Sequence, residues 1–166
     1  MRTFILGLAA AGLLAGCSEP AAKKAEVKKV DALQPGEYEL TMATTELRST
    51  DKTTPATSEK VGPEKVLPER ICIGAESVPP NAFAATGDKC TPLDSYLRGG
   101  RISLQFRCDR AGRGQVTQTV DGTFAADSFE AEIITATLFS GSGDYAMTQT
   151  VTGRRVGDCA AGDKAK

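Results

Sequence analysis

Glu130 and Glu132 stand two apart in Phe129-Glu130-Ala131-Glu132-Ile133. In a strand that spacing sets both carboxylates on one face, about 7 Å apart along the chain. Two carboxylates near that separation are the equipment of a glycosidase. The same alternation is what any half-exposed strand shows. We therefore read the pair as a solvated face, with a carboxylate-only hydrolase built on Glu130 and Glu132 as the alternative. A catalytic triad needs a base, most often histidine, and this chain has none. Ser142 lies in Ser140-Gly141-Ser142-Gly143 without the Gly-x-Ser-x-Gly spacing, which makes it a turn serine. Gly112-Arg113-Gly114 lacks the spacing of a phosphate loop, and Asp144, Asp158 and Asp163 are too scattered for a calcium loop. Arg154-Arg155 offers two guanidinium groups to an anion, but neighbours along a strand point to opposite faces. They are expected to pair with strand carboxylates instead. The expectation is a non-enzymatic ligand-binding or structural/interaction module with no catalytic residues, no metal and no cofactor. A partner-binding inhibitor module that docks through an exposed strand edge is the other alternative.

The cysteines carry more information. Cys72, Cys90, Cys108 and Cys159 are widely spaced, with no Cys-x-x-Cys and no histidine to complete a zinc site. An even number in an exported domain reads as two disulfides. With no Trp and 5% aromatic residues the core must be lean and aliphatic, so covalent staples would support it. Three connectivities are open. We favour Cys72–Cys90 and Cys108–Cys159, because the first pair would bracket a Pro/Gly-rich excursion, at a gain of about 3 kcal/mol from loop closure. Cys17 is different. It ends a leader in which Met1 and Arg2 give a small positive region and Phe4 to Leu14 is almost wholly apolar. As a helix this stretch reaches only about 16 Å, too short to span a membrane, and it fits a secretory signal. Leu14-Ala15-Gly16-Cys17 resembles the bacterial lipobox. That resemblance implies diacylglycerol on the Cys17 sulfur, cleavage after Gly16, and acylation (palmitate or a similar chain) of the new amino group. Two or more acyl chains make a stable anchor. Ser18 follows where an aspartate would resemble the inner-membrane retention signal, which favours the periplasmic side of the outer membrane over the inner membrane.

Charge bounds the partners. The chain has 20 Lys and Arg against 21 Asp and Glu, and loss of Arg2 with the leader takes the balance from −1 to −2. Such a balance leaves no footprint for nucleic acid. The expected partners are the membrane, through the anchor, and a hydrophobic small molecule or another envelope protein.

The chain divides into a signal peptide over 1–16, a lipidated cysteine with a Lys/Ala-rich tether over 17–34, a β domain over 35–159 and a disordered tail over 160–166. Within the β domain, Glu37 to Met42 alternates polar and apolar, and Thr50 to Pro55 reads as a loop or hairpin tip. A second strand within Val61 to Ile73 is confined to an edge or split by Pro63 and Pro68. Gly74 to Lys89 is an irregular excursion with room for one helical turn at Asn81 to Ala85. The cleanest strand is Arg101 to Asp109, with Ile102, Leu104, Phe106 and Cys108 on one face. Gln115 to Phe124 follows, with a bulge expected at Asp121-Gly122 and the turn at Ala126-Asp127. In Phe129 to Phe139 the apolar phase shifts at Ile133-Ile134, which suggests burial on both faces or a kink. Tyr145 to Thr152 closes with Tyr145, Met147 and Val151 inward. Short turns between consecutive strands exclude parallel crossovers. The fold class is therefore all-β, an antiparallel meander of about six to eight strands, curled as a small barrel or a curved sheet or sandwich. The excursion is placed to cover a bare face.

The order of these pieces resembles a bacterial family, domain of unknown function 3617. The resemblance rests on Gln34-Pro35-Gly36-Glu37-Tyr38-Glu39-Leu40-Thr41, on Ile71-Cys72-Ile73, on Cys90 and Cys108, and on the closing Gly153-Arg154-Arg155-Val156-Gly157-Asp158-Cys159. It covers roughly residues 34 to 159. The family often looks like Pro-Gly-x-Trp at its start, and Tyr38 stands where that tryptophan would be. The resemblance implies an exported all-β domain, often lipid-anchored, with paired cysteines. It implies no activity and no catalytic residues.

Overall fold

The computed structural model describes residues 30, 32–68, 70–74 and 78–160. The signal peptide, Cys17, most of the tether and residues 161–166 lie outside the described residues, and the readings made on them stay there. Eight strands follow in chain order: β1 (Gly36–Ser49), β2 (Lys65–Val66), β3 (Ile71–Ile73), β4 (Lys89–Arg98), β5 (Arg101–Arg110), β6 (Gly114–Phe124), β7 (Ser128–Phe139) and β8 (Tyr145–Gly157). They form one antiparallel sheet in the order β2-β1-β8-β7-β6-β5-β4, with β3 beside β2 on the outer side of β1. The sheet is curved and open. It does not close into a barrel, because β4 and β2/β3 end it on opposite sides. β4 to β8 make the expected meander. The first strand then lies against the last, with Glu37 opposite Gly157 and Ser49 opposite Tyr145.

Alternation decides which face is buried. Ile102, Leu104, Phe106 and Cys108 of β5 are all 3% exposed or less, and the residues between them are exposed. Val116 and Val120 of β6, Ile133 of β7, Val151 of β8, and Tyr38 and Leu40 of β1 join them in one cluster on the inner face. Each such side chain contributes about 1.5–3 kcal/mol by leaving water. A single sheet would leave this face wet. The excursion covers it: Val78 and Phe83 are buried in the same cluster, and the Phe83 ring meets Phe129 edge-on at 6.4 Å.

Several expectations change. β7 neither kinks nor buries both faces. Ile133 points inward and is fully buried, and Ile134 points outward at 47% exposed. The outward isoleucine created the apparent phase shift. No bulge occurs at Asp121-Gly122, where β6 pairs without interruption with Ser103-Ile102 on one side and Glu132-Ala131 on the other. Gly122 is there for close approach, since a Cβ would lie 2.1 Å from the Glu130 carbonyl oxygen. The segment at Asn81 to Ala85 makes hydrogen-bonded turns, Ala82 N to Pro79 O and Ala84 N to Asn81 O, rather than a helix. β4 was hidden because nearly all its residues are exposed on both faces and Pro92 interrupts it. A proline without an N–H is tolerated only on such an edge. Gly99 and Gly100, both at positive φ, turn β4 into β5, as a tight two-residue hairpin requires. The proline-split second strand appears as β2 and β3 on the other edge.

The disulfides join Cys72 to Cys159 and Cys90 to Cys108, which corrects the favoured Cys72–Cys90 and Cys108–Cys159. Sheet order forbids the latter set. Cys72 on β3 and Cys90 on β4 lie at opposite edges. Cys90 sits directly across from Cys108 in the β4–β5 ladder. Cys72 faces Glu37, which faces Gly157, two residues from Cys159.

Candidate functional site

Four inward positions on neighbouring strands break the apolar pattern. Gln118 on β6, Thr135 on β7, Gln149 on β8 and Thr44 on β1 are all 4% exposed or less. Register makes them a diagonal stripe, with Gln118 opposite Thr135 and Gln149 opposite Thr44. Burying such groups is costly unless they find partners. Gln149 Nε2 donates to Thr44 Oγ1 at 3.1 Å. Gln118 Nε2 donates to the Phe83 carbonyl at 2.9 Å, with Thr135 Oγ1 at 3.5 Å. The Gln118 Oε1 has no partner among the described residues.

Gln118, Thr135 and Gln149 of the stripe floor a cleft of about 750 Å3 between the inner face and the covering segments. Leu40, Met42 and Met147 supply apolar wall, and Phe83 with Ala82 and Ala84 comes from the excursion. Leu67 and Ile71 lie on the β2–β3 side, and Cys72 and Cys159 are both on the wall, so one disulfide borders the opening.

Arg110 closes one end. Its Nε and one terminal nitrogen donate to the two carboxylate oxygens of Asp88, both at 2.8 Å. The other terminal nitrogen donates to the Tyr145 hydroxyl at 3.2 Å. The Phe139 ring lies 5.5 Å from the guanidinium carbon. The Asp88 carboxylate raises the Arg110 pKa further above its ordinary value. Asp88 ends the excursion, so this pair fastens the excursion to the sheet.

The outer face holds the carboxylates weighed for catalysis. Glu130 and Glu132 are exposed beside Thr123 and Asp121 of β6 and beside Thr152 and Thr150 of β8. Neither lines the cleft. Arg154 is exposed, whereas Arg155 Nε donates to the Pro35 carbonyl and its guanidinium pairs with Asp158. The two arginines do not converge. Ser142 is an exposed turn residue whose carbonyl accepts from Arg113. Asp144 accepts from the Thr137 hydroxyl and the Phe139 N–H, and Asp163 lies outside the described residues. All four cysteines of the domain are paired as given above.

Sequence reasoning missed Gln118, Thr135 and Gln149. A signal existed: Thr117-Gln118-Thr119-Val120 on β6 recurs as Thr148-Gln149-Thr150-Val151 on β8. Each glutamine keeps the inward phase of its neighbouring valine.

The fold and the cleft define an all-β, disulfide-clasped cup with a polar stripe across an apolar floor. The family model described as protein of unknown function (DUF3617) matches residues 33–159, and the chain belongs to that family. The match starts at Leu33, buried at 1% exposed, and ends at the last disulfide cysteine. Tyr38 is fully buried against Phe129 and donates its hydroxyl to the Gln34 carbonyl at 2.7 Å. Burial pushes its pKa up to about 12. No curated protein and no solved structure matches the chain.

Proposed function

We propose that this is a lipid-anchored envelope protein, held at Cys17 on the periplasmic side of the outer membrane, whose cleft binds a small molecule without transforming it. The observation that carries the reading is the cleft itself. Its volume of about 750 Å3 falls in the range of small-molecule sites, and its lining mixes apolar side chains with polar ones. Binding is favoured over hydrolysis because the carboxylate pair sits on the outer face, away from that cleft. The anchor rests on the Leu-Ala-Gly-Cys leader.

Mass spectrometry of protein purified from membranes tests both halves. The denatured protein should carry acyl increments at residue 17 and lack four hydrogens for two disulfides. Under native conditions it should also carry an adduct that denaturation releases. An Ala84→Trp variant, which narrows the cleft, should lose the adduct and keep the acyl chains. An unmodified amino terminus would refute the anchor, and an adduct that survives in Ala84→Trp would refute the cleft as its site.

A further inference from the structure

We infer that the cleft selects an uncharged molecule with an apolar body and at least one N–H or O–H donor, an inference that rests on the cleft being a binding site. The charged side chains on its wall are already matched. Arg110 is held by Asp88 at 2.8 Å, Arg70 by Glu37 at 3.1 Å, and Glu59 by Lys65 at 3.0 Å. An ion settling on the buried floor would shed water and find no free counter-charge there, which is strongly unfavourable. The polar groups on the floor are neutral amides and a hydroxyl.

Gln118 sets the sense of the hydrogen bond. The Phe83 carbonyl can only accept, so the Gln118 amide must turn Nε2 toward it. That fixes Oε1 as the group left over, an acceptor without a donor on a side chain 4% exposed that lines the cleft. A buried acceptor without a partner is costly, and a donor that reaches it recovers that cost. The oxygen is itself covered, so a donor must reach it by a shift of neighbouring side chains that leaves the Gln118 bond to the Phe83 carbonyl in place. Met42 and Met147 on the wall adapt to varied apolar shapes.

Three fluorescent probes sharing one ring system decide the matter. N-phenyl-naphthylamine is neutral and carries one N–H. Its N-methyl derivative lacks that donor, and anilinonaphthalene sulfonate keeps the donor but adds a negative charge. Each is titrated into the full mature chain with both disulfides formed and Cys17→Ser to keep acyl chains out of the assay. The neutral amine should bind. N-methylation should weaken binding about fivefold to tenfold, the worth of one hydrogen bond, and the sulfonate should bind still more weakly. In Gln118→Met the N-methyl penalty should vanish. If the neutral amine binds and the sulfonate matches it, or N-methylation costs nothing in the unsubstituted cleft, the ligand class is wrong and the cleft reading stands. If none of the three binds, both fall. The comparison of probes on the native cleft holds even where Gln118→Met does not fold.

Discussion

Asp51 shows how much one carboxylate can organise. One oxygen accepts from the Ser49 hydroxyl and from both the N–H and the hydroxyl of Thr53. The other accepts from the N–H groups of Gly143 and Asp144 in the β7–β8 turn. It thereby ties the end of β1 to a turn some ninety residues later. These donors, the Thr53 hydroxyl first, hold its carboxyl well below the ordinary value of 3.8. A carboxylate depressed in the folded state stabilises fully above its unfolded pKa and loses that contribution as pH falls. Denaturation midpoints measured downward from about pH 5 should therefore drop more steeply for the native chain than for Asp51→Asn. Arg110 makes the opposite case, a cation that must keep its partner. With Asp88 only 3% exposed at its side chain, Arg110→Met leaves a buried carboxylate unpaired and should cost about 3 kcal/mol in urea unfolding. Asp88→Asn on that background should recover part of the loss.

At the scale of strands, the sequence is most transparent where alternation is strict and least where burial and polarity disagree. β5 is readable because every second residue is apolar, and the inward set is the buried set. Gln118, Thr135 and Gln149 escaped because a hydropathy pattern marks polar residues as outward, and only phase counting from Val116, Ile133 and Val151 puts them inside. Ile134 misled in the reverse direction. β4 left no pattern at all, since an edge strand exposed on both faces has no buried face to advertise. Gly153 shows a constraint that composition cannot disclose. A Cβ there would lie 2.0 Å from the Phe129 ring, a ring that also packs on Tyr38 and Phe83. Gly153→Ala should lower the urea midpoint by the equivalent of about 1–3 kcal/mol, the usual cost of overpacking. Gly157→Ala, where a Cβ meets nothing within 4 Å, should serve as the neutral control.

The whole molecule depends on partners that are distant in sequence. Local turns betrayed the meander, but no local pattern says that β1 lies against β8 or that Cys72 belongs with Cys159. The stability effects scale with that distance. Opening Cys72–Cys159, with its separation of 87 residues, should cost about 4–5 kcal/mol by loop-closure entropy. Opening Cys90–Cys108, separated by 18, should cost about 3 kcal/mol. Paired Cys→Ser variants compared by denaturant unfolding should rank in that order. One bond is enclosed within the other along the chain. A polypeptide threaded amino-terminus first into an oxidising compartment presents its thiols in numerical order, so the earliest neighbours to meet an oxidant are 72 with 90, then 108 with 159. Both are mismatches. In a chain exported as proposed, maturation would either wait until the last thiol has crossed or proceed through thiol exchange by an isomerase.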